Sequence, residues 1–166
     1  VVIGNKDKIY SQLLNKGYSP MVVKFFMLQT HYRSTLDFSN DALNAAEKGF
    51  IRLAEAYKTL RNINPSPTSS ENIQAIEDAC YEAMNDDFNT PIALSHLFEL
   101  AHEIQRQRDK DMPYAASLGA LLKSLADILG ILQSDVEVFF QAGDDVDVDK
   151  INTLIDARKA ARAAKN

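Results

Sequence analysis

The chain has 166 residues, of which 46% are hydrophobic and 25% charged, and its formal net charge is −5. That is long enough for one real core and too short for a large enzyme, and no apolar run approaches the roughly 20 residues a membrane span needs. No charged-then-apolar targeting pattern opens the chain, and its single cysteine, Cys80, cannot form an internal disulfide, which fits a reducing cytoplasm. The charge is unevenly spread: residues 1–62 carry +4, residues 63–149 carry −13 and residues 150–166 carry +4. Two basic ends flanking an acidic middle would hold a polyanion at the ends, although charge alone is more simply read as solvated helix faces.

Residues 1–38 read as a connector that includes a buried helix at about 20–31. Ser19-Pro20 is a cap-plus-proline start, and Val22, Val23, Phe25, Phe26 and Leu28 surround that helix with apolar surface. Residues 39–140 read as a helical bundle domain. Ser39 caps a long helix striped by Leu43, Ala46, Phe50, Leu53, Tyr57 and Leu60, whose three- and four-residue steps place them on one face. Asn62 to Ser70, with two prolines and small polar residues, breaks the pattern.

A third helix is expected from about Glu71 to Asn85, with Ile73, Ile76, Cys80, Ala83 and Met84 inward. The fourth is expected to begin at Pro91 and to bury Leu94, Leu97, Phe98, Ala101 and Ile104 before a polar turn. The fifth starts near Pro113 and carries Leu118, Leu121, Leu122, Leu125, Ile128 and Leu129. Gly130 suits its left-handed C-terminal cap, with Ile131 or Leu132 packing back. Phe139-Phe140 is a last apolar contact. Residues 141–149 form an acidic linker, and residues 150–166 begin a basic helix. No stretch of strand length has period two, so the expected fold is an all-α antiparallel helix bundle.

Two short motifs stand out. Asp86-Asp87-Phe88-Asn89-Thr90-Pro91 lies between two helical patterns and reads as a junction, with Phe88 as an apolar anchor, Thr90 as N-cap and Pro91 as the first helical residue. Burial of Phe88 would contribute roughly 1.5–3 kcal/mol and the cap about 1 kcal/mol, enough to account for the motif without a ligand. The other motif, His31-Tyr32-Arg33-Ser34, follows a buried helix and precedes Leu36-Asp37-Phe38-Ser39. Together with Ala157-Arg158-Lys159-Ala160-Ala161-Arg162, the two motifs resemble the helical region that follows the catalytic domain of cysteinyl-tRNA synthetases, which are class I enzymes. The resemblance runs from about Ser19 to the C-terminus and fits Val1–Tyr18 poorly.

The resemblance implies a cysteine–tRNA ligase, using ATP and zinc in a catalytic domain that lies outside these residues, with tRNA as partner, a cytoplasmic location and a monomeric state. Residues 1–166 hold no phosphate-cradling glycine loop, and Cys80 alone cannot build a thiolate zinc site, so the chain itself is expected to be inactive. It opens without methionine and stops in a basic, uncapped helix, which leads us to expect a piece of a longer protein. Glu99-x-x-His102 matches half of a di-iron pattern but lacks its second pair, and a metal site is not expected.

The tRNA-contact candidates are His31, Tyr32 and Arg33, together with Arg158, Lys159, Arg162 and Lys165, of which 158, 162 and 165 share a helix face. For Tyr32 and Arg33 the competing structural role is to tie the bundle to the catalytic domain, with Arg33 bridging a carboxylate. Two alternatives stay open: a sister ligase joining cysteine to an amino-sugar, and a stand-alone helical scaffold that binds another protein.

Overall fold

A computed structural model describes Leu13 and residues 17–60, 62–64 and 71–133. The chain separates into two units, Val1–Ser134 and Asp135–Asn166, and every described residue belongs to the first. The expectations for residues 139–166 therefore lie outside the described residues, Arg158, Lys159, Arg162 and Lys165 among them.

Among the described residues, five helices follow one another: α1 (Pro20–Leu28), α2 (Asn40–Lys58), α3 (Glu71–Asn85), α4 (Thr90–Gln107) and α5 (Met112–Leu129). The described residues contain no strand, and the all-α fold is as expected. Side-chain oxygens start four of the helices by accepting an otherwise orphaned amide. Ser19 accepts from Met21 N at 3.3 Å, Ser39 from Ala42 N at 3.2 Å, Asn89 from Ile92 N at 3.4 Å and Asp111 from Tyr114 N at 3.0 Å. Asp41 in the first turn of α2 and Lys58 in its last complement the helix dipole.

Helix α4 is central, packing against α5, α3, α2 and α1. Its pattern explains this: Ala93, Leu94, Leu97, Leu100, Ala101 and Ile104 are all buried, and these recur every three or four residues. Around it, α1 buries Val22, Val23, Phe25 and Phe26, α2 buries its stripe with Tyr57 only half-buried, and α3 closes over Cys80 and Ala83. Burial pushes the Cys80 thiol pKa up.

The end of α5 carries the expected left-handed cap. Gly130 has φ of 65°, Ile131 N donates to Ala126 O at 2.9 Å, and Ile131 and Leu132 are buried beneath the last turn. Lys24 of α1 donates to Gly130 O at 2.7 Å and fastens the two elements together.

Two sequence expectations fail at helix boundaries and faces. Helix α4 begins at Thr90, one residue before its proline, and is capped by Asn89. Ile128 is 49% exposed rather than inward, at the edge of the face on which Leu118, Leu122, Leu125 and Leu129 are buried. Replacing Leu97, which has no exposed surface, with alanine should lower unfolding free energy by about 2–5 kcal/mol, whereas Ile128→Ala should change it by less than about 1 kcal/mol. Chemical denaturation with matched m-values checks both.

Candidate functional site

The junction between α3 and α4 is built from two residues that turn the backbone left-handed. Asp87 and Phe88 both have φ of 53°, a region aspartate tolerates and a bulky residue adopts at a cost. Asn89 N reaches back to Ala83 O at 3.0 Å and Phe88 N to Met84 O at 3.2 Å, closing α3, before Asn89 caps α4. This geometry overturns the expected anchor: Phe88 is 65% exposed. With residues 87 and 88 left-handed, its side chain leaves the face on which Cys80 and Ala83 are buried. The cap expected of Thr90 is likewise supplied by Asn89.

The same turn presents Asp87 to the loop after α1. Arg33 Nη2 donates to Asp87 Oδ1 at 3.2 Å, and Arg33 Nε lies 3.0 Å from Oδ2 in the same ion pair. Tyr32 donates its hydroxyl to Asp87 Oδ1 at 2.7 Å. His31 Nε2 stands 3.8 Å from Oδ2, while its Nδ1 accepts the Arg33 backbone amide at 3.3 Å, which places the proton of a neutral ring on Nε2, toward the carboxylate.

The three side chains also support one another. His31 stacks on Tyr32 with ring centroids 4.9 Å apart, Arg33 Nε donates to the Tyr32 hydroxyl at 2.8 Å, and the guanidinium lies 5.3 Å from the Tyr32 ring centroid. At the far end of the loop, Phe38 packs on Phe26 of α1, with centroids 5.1 Å apart. The hydrogen bond to Asp87 raises the Tyr32 phenol above its ordinary pKa, with Arg33 opposing the shift. One carboxylate thus gathers His31, Tyr32 and Arg33 from more than fifty residues away in sequence. Asp86, its neighbour, is exposed and has no side-chain partner among the described residues.

A second feature escaped the sequence. Helices α2 and α4 flank a half-open groove of about 780 Å³. Lys48, Arg52 and Glu55 line one wall from α2, and His102 and Gln105 line the other from α4. Gly49 and Phe98 meet on its floor, where a Cβ on Gly49 would stand 3.2 Å from the Phe98 ring. Lys48 and Arg52 are exposed and have no ion-pair or hydrogen-bond partner among the described residues. Their spacing of four is visible in the sequence, but which helix faces them is not. His96, on the same helix as His102, pairs with Glu99 at 3.0 Å, and no group of three His, Cys, Asp or Glu able to hold a metal occurs among the described residues.

Comparison with known proteins places this geometry. The DALR domain family matches residues 79–133, from within α3 to just beyond α5. A cysteine–tRNA ligase of Haemophilus influenzae is 45% identical over 175 aligned positions that cover the whole chain and 37% of the relative. Over its whole length the chain is similar to a cysteine–tRNA ligase. A ligase of Azotobacter vinelandii is 46% identical over 151 positions, covering 90% of this chain and 32% of its own length. One from Bacteroides thetaiotaomicron is 55% identical over 95 positions, covering 56% of this chain and 19% of its own.

The chain therefore spans about a third of the length of the cysteine–tRNA ligases it matches most broadly. The Haemophilus alignment reaches Val1–Tyr18, where the motif resemblance was poor. Asp87 lies within the DALR domain and its three partners lie before it, so the ion pair joins that domain to the preceding chain.

Two outcomes follow. Phe88→Gly should leave stability unchanged or raise it by up to about 1 kcal/mol, because it relieves a left-handed bulky residue at an exposed site; thermal denaturation reads this. The Tyr32 interaction favours the protonated phenol, so its contribution is complete below the unfolded phenol pKa and is lost as pH rises through the higher folded value. Ultraviolet difference titration of the unmodified chain against Tyr32→Phe should show this phenol ionising late, and Asp87→Asn should bring it back toward the ordinary value.

Proposed function

We propose that the chain is the helical part of a cysteine–tRNA ligase and that it positions tRNA against a catalytic domain lying outside residues 1–166. The alignment of relatives named as cysteine–tRNA ligases over the whole chain carries this reading. The Asp87 cluster supports it: a tie between the loop after α1 and the α3–α4 junction makes the bundle one rigid arm, which a positioning role requires. Because Arg33 is held by Asp87, the chief part of His31, Tyr32 and Arg33 is to set that geometry. The basic residues Arg158, Lys159, Arg162 and Lys165 meet the tRNA backbone.

The chain by itself is inactive. ATP and zinc act in the catalytic domain; the donors described here do not fit zinc, since Cys80 is buried and stands without a second thiolate. The whole enzyme is a cytoplasmic monomer, and no helix among the described residues is long and apolar enough to cross a membrane.

Assays of cysteine-dependent ATP–pyrophosphate exchange and of tRNA charging test the assignment. The 166-residue chain should support neither, and the open reading frame that contains it should charge tRNA bearing a cysteine anticodon. In that longer protein, Asp87→Asn should lower kcat/KM for tRNA severalfold while leaving pyrophosphate exchange unchanged. Failure of the open reading frame to charge that tRNA would refute the proposal.

A further inference from the structure

We infer that the groove between α2 and α4 is a binding site for the sugar–phosphate backbone of RNA, with Lys48 and Arg52 as its phosphate contacts. Most other cations among the described residues have an assigned partner: Lys24 donates to Gly130 O, Arg33 faces Asp87, Arg106 faces Glu103, Arg108 faces Asp109 and Lys123 faces Asp127, while Lys110, in the turn after α4, has none. Lys48 and Arg52 have none among the described residues, although they stand on the same wall of one groove. Two unpaired cations so placed repel each other slightly, and an anion between or beside them removes that cost.

Shape and chemistry narrow the ligand. Four residues of helix separate the two cations by roughly 6 Å along the axis, a distance comparable to that between successive phosphates of a nucleic-acid strand. The groove is half-open rather than enclosed, so a segment of a longer chain can lie in it. Its floor is partly apolar where Gly49 lets the Phe98 ring lie against α2, and a ribose face can rest there. Gln29 and Gln105 offer amides that both donate and accept, His102 offers a ring nitrogen, and Glu55 is an acceptor for a ribose hydroxyl. A carboxylate-rich peptide would match the two cations but has no ribose hydroxyl to donate to the Glu55 acceptor.

This inference rests on the proposed tRNA-positioning role and assigns that role a surface. The test uses the full 166-residue chain and a fluorescein-labelled transcript of tRNA with a cysteine anticodon, followed by anisotropy over a range of salt concentrations. Lys48→Glu with Arg52→Glu should weaken binding at least tenfold and lower the slope of log K against log salt by roughly two phosphate contacts, about 0.7–0.9 for each. Lys110→Glu, an equally exposed cation outside the groove, should change neither.

Circular dichroism melts establish that the variants fold. If the charge reversals do not fold, Lys48→Gln with Arg52→Gln should give a loss in the same direction. Unchanged affinity and slope in the groove variants would overturn the inference, as would undetectable binding by the unmodified chain at low salt. Equal competition by poly-glutamate would overturn the assignment to RNA. The outcome separates from that of the charging assay: charging with an RNA-indifferent groove refutes this site alone, and groove-dependent RNA binding without charging refutes the ligase reading alone.

Discussion

The left-handed pair Asp87–Phe88 is the constraint on which the arrangement depends. Two consecutive non-glycine residues at φ of 53° end α3 and let Asn89 start α4 almost at once, folding the two helices back on each other. The cost of holding Phe88 there, without the compensation of burial, is met by the packing of the two helices it joins. That turn also sets the direction of the Asp87 carboxylate. A right-handed residue 87 would continue α3 and carry its side chain along the helix, away from Arg33 and Tyr32.

Around this junction the bundle divides into two kinds of surface. The apolar faces converge on α4, whose Leu97 and Leu100 have no exposed surface, and these account for stability. The polar surface is organised by charge. At one place a carboxylate is met by an arginine, a phenol and an imidazole; at another, two cations have no partner among the described residues and stand beside a groove. Exposed ion pairs add little to stability, typically 0.2–1 kcal/mol, so the Asp87 cluster matters for geometry more than for folding free energy. On the proposed reading, the junction that fixes angles and the groove that holds the RNA backbone together form an arm that presents RNA.

Much of the fold was legible because helices announce themselves. The stripe Leu43, Ala46, Phe50, Leu53 and Leu60 has a period that only a helix satisfies, Ser19 and Ser39 sit where cap oxygens are needed, and Gly130 is the residue that takes a left-handed cap without strain. Phe88 misled because apolarity implies burial by default, and nothing in the sequence marks a left-handed phenylalanine. Asn89 and Thr90 are adjacent and both competent caps, so the choice between them required coordinates. That Arg33 could bridge a carboxylate was visible; that the carboxylate is Asp87 required the packing of α1 and α3 around α4. The groove was hidden for a similar reason, since Lys48 and Arg52 gain meaning only once His102 and Phe98 are seen opposite.

The most direct measurement is paramagnetic relaxation from a nitroxide on Phe88→Cys in a Cys80→Ala background. If the account holds, amide signals of residues 31–34 broaden strongly, and the broadening weakens when Asp87→Asn is added. Sharp signals from residues 31–34 in the labelled protein with Asp87 intact would mean that the two segments do not meet.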